Sequence, residues 1–270
     1  MALNYRTIWI SDVHLGTRGC NAEHLLDFLN HTECEQLYLV GDIIDVWKLK
    51  SGWYWPSLHT EVVRAIVDKA KQGTRVVYIP GNHDELFRQY AGMFFLGITI
   101  QTNAIHRAAD NRTYFVLHGD EFDGVVCNSK WLAYLGSEAY DMLLVANRWF
   151  NFFRSRFGFP YWSLSSYLKH KVKNAVNFIG NFEEALRHEG LKRGVDGIVC
   201  GHIHHAAISE MDDTFTYCNC GDWVESCTAL VEDDGGRISI IRWAEESVYL
   251  LNEEQCIENS TDKRRLATAD

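Results

Sequence analysis

Carboxylates, an amide and imidazoles recur in five short polar turns of this sequence, each of them directly after an apolar run. The turns carry Asp12-Val13-His14, Asp42, Asn82-His83-Asp84, His118 and His202-Ile203-His204. Side chains two residues apart on an extended backbone point to the same side, so each pair of polar residues with this spacing can coordinate one metal ion. In the third turn Asn82 offers a neutral oxygen to a metal, His83 can donate a proton, and Asp84 can hold the ring of His83.

Any one of these turns also has an ordinary explanation, such as an aspartate that caps a turn beside a surface histidine. Together they supply three oxygen ligands and four imidazoles: Asp12, Asp42, Asn82, His14, His118, His202 and His204. That set is too large for one hydrolytic zinc ion, which takes three protein ligands. It suits two divalent ions that share a carboxylate, and ligands of mixed oxygen and nitrogen type suit Mn²⁺, Fe²⁺ or Zn²⁺. Two ions about 3.5–4 Å apart can activate water and neutralise an in-line displacement at phosphorus.

The elements that must position these turns alternate between strand and helix. Apolar runs predict strands at 5–10, 36–40, 76–79, 113–117 and 195–200, and apolar periodicity predicts helices at 22–29, 59–71 and 85–96. This order is typical of an α/β fold with a largely parallel sheet, whose chemistry lies at the carboxyl ends of its strands. Asp45, three residues after Asp42, is then placed to support a metal ligand.

Composition sets limits on the class of protein. The chain has 270 residues, 47% of them hydrophobic, which suffices for one large domain with an insertion. A net charge of −10 argues against a general binder of long nucleic acids. We expect no secretory signal and no membrane span. The eight cysteines are scattered without a Cys-x-x-Cys pair, which favours reduced thiols and a cytoplasmic location over disulfides or thiolate metal sites.

Residues 128–193 differ from the rest and predict a helical cap inserted into a domain of residues 1–251, with a mobile polar tail at 252–270. Between Asp141 and Glu183 there is no acidic residue, whereas arginines, lysines and aromatic residues are frequent. Such a segment suits an anionic, apolar partner: a membrane surface or an acylated phosphate. Stacked nucleic-acid bases and a lid with its own core are the alternatives.

A second aromatic segment follows the Asp42 turn and contains Trp47, Trp53, Tyr54 and Trp55. It can line an entrance for substrate or close a small core, and the sequence leaves both open.

The order and spacing of the turns resemble the signature of the calcineurin-like metallophosphoesterases. The similarity rests on Asp12-Val13-His14, Gly41-Asp42-Ile43-Ile44-Asp45, Gly81-Asn82-His83-Asp84, His118-Gly119-Asp120 and Gly201-His202-Ile203-His204. The resemblance implies a four-layer αββα sandwich with two mixed sheets. It implies one metal held by Asp12, His14 and His204, a second held by Asn82, His118 and His202, and Asp42 as the bridge.

The same resemblance assigns the remaining roles. His83 would stabilise the transition state and protonate the leaving oxygen, and Asp84 would orient it. Asn82 and His83 would also contact substrate, and Asp45 and Asp120 would support the ligands from behind.

Within the superfamily the chain is similar to UDP-2,3-diacylglucosamine pyrophosphohydrolases of lipid A biosynthesis, through its length, its insertion and the stretch Gly221-Asp222-Trp223-Val224-Glu225. The resemblance implies cleavage of a UDP-linked, doubly acylated glucosamine to UMP and a lipid phosphate, at the inner membrane surface. Lys173 is then a candidate phosphate contact in the cap. Those enzymes typically carry arginine at the position of His83, whereas histidine is the general phosphoesterase pattern, so a paralogue with another substrate is the alternative.

Three other functions remain open. A soluble phosphodiesterase or phosphatase would use the cap only to shape a pocket. A binding scaffold without catalysis would be expected to lack ligands, and here all seven are present. A nuclease for short single strands is compatible with the cap but not favoured by the net charge.

Overall fold

The computed structural model describes residues 2–123, 164–212 and 215–246, excepting the side chains of 164–177 and 212. The strands are β1 Leu3–Ile10, β2 Thr32–Val40, β3 Arg75–Ile79, β4 Phe94–Phe95, β5 Ile98–Ile100, β6 Ala104–Arg107, β7 Thr113–Val116, β8 Gly197–Cys200, β9 Ala207–Asp212, β10 Phe215–Asn219, β11 Thr228–Glu232 and β12 Ile238–Arg242. The α-helices are α1 Ala22–His31, α2 Val46–Ser51, α3 Ser57–Lys71 and α4 Leu164–Arg193, and 3₁₀ helices span Glu85–Tyr90 and Asp120–Phe122.

These strands form two mixed sheets, as the sequence predicts. The larger sheet has seven strands in the order β12-β11-β1-β2-β3-β5-β4, and its four strands from β1 to β5 in this order run parallel. The smaller sheet has five strands in the order β6-β7-β8-β10-β9, with β7, β8 and β10 parallel. Each sheet therefore brings the carboxyl ends of parallel strands to one edge.

Two hydrophobic cores hold the layers together, and β1 contributes to both. Ile8 and Ile10 belong to the core between the larger sheet and helices α1 and α3. Trp9 points the other way, into the core between the two sheets, together with Tyr114 of β7 and Val199 of β8. The period of two along a strand that is buried on both faces explains why β1 reads as a continuous apolar run.

The carboxyl end of α4 provides the fourth layer. A Cβ atom added to Gly190 would lie 2.5 Å from the ring of Phe215, so the helix approaches β10 closely there. The guanidinium of Arg193 lies 4.0 Å from the ring centre of Phe115 on β7. These contacts lie on the face of the smaller sheet opposite the shared core, which completes the four-layer α/β architecture.

The chain divides into two compact units, Met1–Asp120 with Glu189–Asp270, and Glu121–His188. The larger part of α4 belongs to the second unit, so the insertion is helical where it is described. The rest of the predicted cap, up to residue 163, and the predicted tail at 252–270 lie outside the described residues. Among the residues that are described, no helix combines the length and apolarity that crossing a bilayer requires.

The helix predicted over residues 85–96 is wrong. A 3₁₀ helix, Glu85–Tyr90, is followed by the short strand β4, which pairs antiparallel with β5. Gly92 has a φ of 89°, outside the helical region, and its amide donates to the carbonyl of Ile100 at 2.8 Å. Pairing with β5 thus overrides the helical pattern of the sequence.

A buried carboxylate links the two sheets away from the strand ends that carry the polar turns. Glu232 on β11 accepts hydrogen bonds from Arg6 Nη1 at 2.6 Å and the Ala109 amide at 2.8 Å. Its other oxygen lies 2.9 Å from Nε2 of His106 on β6. Burial raises the pKa of Glu232, but these hydrogen bonds more than offset it, so that the pKa falls from 4.5 to about 2.

This depressed pKa predicts a pH-dependent contribution to stability. Because the folded pKa lies below the unfolded one, the contribution is complete above pH 4.5 and is lost as the pH falls through the folded value of about 2. Between pH 5.5 and 3.5 the wild type should therefore lose about 1 kcal/mol more stability than Glu232→Gln. Urea unfolding of both proteins at the two pH values measures this difference. Equal losses would contradict the prediction.

Candidate metal centre

All five polar turns lie in the first unit and follow strands that end at the same edge. Strands β1, β2 and β3 of the larger sheet lead into the turns of Asp12, Asp42 and Asn82, and β7 and β8 of the smaller sheet lead into those of His118 and His202. The edges of the two sheets are joined here, because Nδ1 of His118 hydrogen-bonds the carbonyl of Val40 at 2.9 Å. The turns therefore converge from both sheets, as expected for carboxyl strand ends.

One cluster of potential ligands consists of Asp12, His14 and His204, whose ligand atoms all lie within 4.8 Å of one another. Nε2 of His204 is 3.3 Å from Oδ1 of Asp12. The other oxygen of Asp12 accepts a hydrogen bond from the His202 amide at 2.9 Å. The backbone thus fixes one carboxylate oxygen of Asp12 and leaves the other facing the cluster.

The second cluster consists of Asp42, His118 and His202, also within 4.8 Å of one another. Oδ2 of Asp42 lies 3.4 Å from Nε2 of His118 and 4.0 Å from Nε2 of His14 in the first cluster. Oδ1 of Asp42 accepts from the His83 amide at 2.8 Å. Asp42 is therefore the carboxylate that stands between the two clusters.

Several buried polar atoms in these turns have no hydrogen-bond partner within the described part of the chain. They are Asp12 Oδ1, His14 Nε2, Asn82 Oδ1, His118 Nε2 and His83 Nδ1, the last of which lies 3.0 Å from Asp45 Oδ2 without hydrogen-bond geometry. Buried polar atoms are normally paired, and leaving one without a partner costs about 1–3 kcal/mol. Atoms of this kind, all oxygen or imidazole nitrogen, fit coordination to divalent cations. Asn82, which lies outside the two acid–histidine clusters, fits the same set through its Oδ1.

The backbone of these turns is strained at the ligands themselves. Eight described non-glycine residues have a positive φ, and five of them are predicted ligands: Asp12, His14, Asp42, His202 and His204. Such conformations cost about 1–3 kcal/mol each and persist where the surrounding structure imposes them. The backbone of the third turn also approaches Asp42 closely at Gly81. A Cβ atom added to Gly81 would lie 2.3 Å from Oδ1 of Asp42. The fold thus holds the ligand set in unfavourable conformations.

Electrostatics at the centre favour positive charge. Burial lowers the pKa of His118, but the adjacent carboxylate of Asp42 more than offsets it and raises the pKa to about 10. Burial raises the pKa of Asp42, yet the neighbouring imidazoles, His118 first, bring it well below its usual range. A cation at this place would therefore meet an ionised carboxylate.

A third group, formed by His14, Asp45 and His83, also has its ligand atoms within 4.8 Å of one another, and in it Asp45 is the carboxylate beside the ring of His83. Its Oδ2 lies 3.0 Å from Nδ1 of His83 and 3.2 Å from Nδ1 of His14, while its Oδ1 caps α2 by accepting from the Lys48 amide at 2.8 Å. The two histidines and the amide of Lys48 lower the pKa of Asp45 despite its burial. One carboxylate thus orients both a predicted ligand and the predicted proton donor.

Asp84 does not hold His83, which corrects the expectation from the sequence. Its buried carboxylate accepts from the amides of Gly81 at 2.6 Å and Ile43 at 2.8 Å, and from the hydroxyl of Tyr78 at 2.5 Å. It therefore ties the turn that carries Asp42 to the turn that carries Asn82. Sequence order suggested that neighbours pair, whereas the sharp turn directs Asp84 inward.

The hydroxyl of Tyr78 is the one side-chain donor to Asp84 among the described residues. Sequence reasoning missed this contact because Tyr78 has the pattern of an ordinary strand residue. Tyr78→Phe should lower the free energy of unfolding by about 1.5–3 kcal/mol, the range for hydrogen bonds to charged groups. Turnover should fall less than about 10-fold, because the backbone donors to Asp84 remain. Tyr38→Phe is the control, because it removes a long 3.5 Å contact to His106 and a hydrogen bond with Gln36, neither of which involves a carboxylate. Equal stability of the two variants would contradict this role.

Asp120 is close enough to His118 for its charge to contribute to the raised pKa of that histidine. Asp120 accepts from Nη2 of Arg88 at 2.7 Å, and Arg88 also donates to the carbonyl of Pro80 at 3.2 Å. Asp120 thus braces the start of the Asn82 turn. Lys173 belongs to α4, but its side chain lies outside the described residues.

The aromatic segment after Asp42 divides between a small core and the neighbourhood of His83. Trp55 packs inward and donates its Nε1 to Thr60 at 2.9 Å. Trp47 instead lies with its ring centre 4.4 Å from that of His83, and it remains 46% exposed. Trp53 is 79% exposed. The segment therefore closes a core at one end and borders the metal centre at the other.

Asn219 is a supporting residue that sequence reasoning missed. Its amide nitrogen donates to the carbonyl of Gly201 at 2.8 Å, and its oxygen accepts from the Gly221 amide at 2.9 Å. It thereby fixes the turn that begins with Gly201. A polar residue in an otherwise apolar, buried strand was the available signal.

Comparison with solved structures finds likenesses of low identity. A dimetal phosphatase from Danio rerio is 12% identical, with 88% of this chain and 99% of that chain covered and a TM-score of 0.42. A zinc complex of Vps29 from Entamoeba histolytica is 14% identical (87% and 97% covered, TM-score 0.40), and a predicted phosphoesterase from Streptococcus pneumoniae is 13% identical (89% and 90%, 0.37). No curated protein matches significantly.

The sequence model of one family, described as calcineurin-like phosphoesterase, matches residues 5–206. That range includes every turn of the metal centre and most of the chain. The residues that meet at the sheet edge are those that a dinuclear, metal-dependent phosphoesterase requires. The chain therefore belongs to the calcineurin-like phosphoesterase family.

Proposed function

We propose that this phosphoesterase hydrolyses the diphosphate of a lipid-linked nucleotide sugar of the UDP-2,3-diacylglucosamine type, giving UMP and a lipid phosphate. The observation that carries the hydrolytic part is the position of Asp42 between two clusters of buried ligands, with His83 beside them. The lipid part rests on the basic, aromatic composition of the insertion and on the exposed ring of Trp47 next to His83.

Two divalent ions are proposed for the centre, with Mn²⁺ first and Fe²⁺ or Zn²⁺ allowed by the same ligand types. Asp12, His14 and His204 would hold one ion, Asn82, His118 and His202 the other, and Asp42 both. Bound there, the ions would supply Lewis-acid activation of the phosphoryl group and of a water molecule.

His83 is proposed as the proton donor. Its Nε2 faces the centre, 4.0 Å from Oδ2 of Asp42, and its side chain is 25% exposed, so a substrate oxygen can reach it. In the reaction the oxygen of water forms a bond to phosphorus, the bond from phosphorus to the leaving oxygen breaks, and Nε2 gives that oxygen its proton. Asp45, 3.0 Å from Nδ1, orients the ring so that Nε2 faces the centre.

A second candidate function is a soluble phosphodiesterase of the same mechanism. The observation that favours it is His83 itself, because the lipid A enzymes that the chain resembles carry arginine there. An arginine clamps phosphate permanently, whereas a histidine transfers a proton.

For the lipid function we propose a cytoplasmic location in contact with the inner membrane surface.

The test is turnover of the Mn²⁺-loaded protein on three substrates: UDP-2,3-diacylglucosamine, a UDP-sugar without acyl chains, and bis-p-nitrophenyl phosphate. Strong preference for the acylated substrate would support the lipid function. Cleavage of the generic diester without the lipid diphosphate would support the second candidate. Absence of turnover on all three, with metal bound, would contradict both.

A further inference from the structure

An exposed apolar strip begins three residues after His83 in the chain and follows the edge of the larger sheet. We call it the edge strip, and it consists of Leu86, Tyr90, Met93, Phe94, Phe95 and Leu96. Phe94 is 72% exposed, Phe95 64% and Leu96 53%. Single exposed apolar residues need no explanation, but six within eleven residues form a patch of the kind that marks an interaction surface.

The strip is also free of charge beyond Arg88, which lies between Leu86 and Tyr90 and pairs with Asp120. Residues 89–105 contain no Asp, Glu, Lys or Arg, although 23% of the chain is charged. Exposed edges are usually protected by charged residues or proline, and here neither is present. Three residues connect β5 to β6, the outer strand of the smaller sheet, where Ile105 is exposed as well. The uncharged edge therefore continues onto the second sheet.

The turn at the far end of the strip retains a leucine in an unfavourable conformation. Leu96 has a φ of 51° and Gly97 a φ of 85°, which is the hairpin turn that normally prefers Asn-Gly. A bulky residue with positive φ is uncommon. Asparagine would suit this backbone better, so the leucine is not explained by the fold. Its side chain, exposed at the tip of a hairpin, suits contact with an apolar partner.

The strip offers side chains rather than backbone. Strand β4 has only two residues, too few to pair stably with an added strand. Interfaces between proteins are enriched in arginine, and residues 89–105 contain none. Phenylalanine, leucine and methionine beside a tyrosine are instead typical of an interface with lipid. These features favour hydrocarbon over a second copy of the chain.

We infer that the edge strip docks the protein on the surface of a zwitterionic lipid bilayer. The inference deepens the proposed function and rests on it for the lipid setting, since a bilayer that covers the strip reaches Leu86, three residues from His83. With a net charge of −10, the protein should bind through apolar contact and without anionic lipid. Binding through the basic insertion would instead require anionic lipid and weaken with salt.

The experiment is sedimentation of the full chain with sucrose-loaded phosphatidylcholine vesicles that contain no nucleotide-linked lipid. Wild type should sediment with them at low and high salt. The double variant Phe94→Gln/Phe95→Gln should bind on the order of 100-fold more weakly, because two phenylalanines lose their burial in lipid. Ile208→Gln, on β9 at the opposite edge of the smaller sheet, is the control and should bind as wild type does.

Leu96→Asn separates docking from folding. It should weaken vesicle binding about 5- to 10-fold while leaving the unfolding midpoint unchanged or higher, since asparagine tolerates the left-handed backbone. Turnover of bis-p-nitrophenyl phosphate, a soluble substrate, should stay the same in all these variants and shows that the metal centre is intact.

Four results would overturn the inference. They are wild type that does not sediment with phosphatidylcholine, a double variant that binds as wild type does, binding only to anionic vesicles in low salt, and a dimer by light scattering that the double variant converts to monomer. Because no nucleotide-linked lipid is present, vesicle binding succeeds or fails independently of cleavage of the lipid diphosphate.

Discussion

Replacement of Asp42 by asparagine should leave the protein with at most one tightly bound metal ion and reduce phosphodiester turnover by more than about 100-fold. The carboxylate oxygen that faces both clusters lies 3.4 Å from His118 and 4.0 Å from His14. Asparagine retains the size of the side chain and an acceptor for the His83 amide, but it removes the negative charge that two cations would share. The predicted effect thus comes from charge and not from a cavity.

Metal analysis by mass spectrometry and turnover of bis-p-nitrophenyl phosphate measure the two effects on the same preparation. Asp68→Asn is the matched control, because Asp68 is an exposed residue of α3 that pairs only with Lys71 in the contacts described. It should keep both metal content and turnover. A variant Asp42→Asn that binds two ions with normal affinity would show that Asp42 does not bridge them.

The ligand set could be found from the sequence because each ligand directly follows a buried strand. Asp12, Asp42 and His118 each come two residues after the strand that precedes them, so the parallel sheets alone bring their turns to one edge. That argument uses only local pattern and the direction of the strands. It does not depend on knowing which loops contact one another.

Contacts between loops could not be found in this way. Asp45 reaches His83 because it caps α2 and so lies beside the turn after β3, whereas Asp84, the sequence neighbour of His83, turns inward to Tyr78. Which carboxylate meets an imidazole depends on the path of two loops that are distant in sequence. The same holds for residues 85–96, where pairing with β5 decides the structure over the helical pattern.

Removal of the imidazole of His83 tests whether this residue transfers a proton while the two clusters bind the metal ions. His83→Ala should lower turnover about 100- to 1,000-fold, within the range for loss of a general acid. Metal content should remain near that of wild type, because the two proposed ligand sets are complete without His83, which groups only with His14 and Asp45. His24→Ala on α1, distant in sequence from every polar turn, is the control and should change neither quantity.

The leaving group provides the sharper measurement. A phenyl phosphodiester leaves as a basic oxygen that needs a proton, whereas a p-nitrophenyl ester leaves with little need of one. The loss in His83→Ala should therefore be about 10-fold larger for the phenyl ester. Equal losses on both esters would assign His83 to binding of the phosphoryl group instead of proton transfer, and loss of metal with turnover would make it a ligand.

Asp45→Asn should lower turnover by impairing the same proton transfer from His83 to the leaving oxygen. It weakens the hold on Nδ1 of His83, so the double variant Asp45→Asn/His83→Ala should lose much less than the product of the two single losses. Asp45 also contacts His14, and the single variant should therefore lower metal affinity about 10- to 100-fold, which His83→Ala does not. Comparing metal content and turnover across the three variants separates the two tasks of one carboxylate: it positions a ligand through His14 and a proton donor through His83.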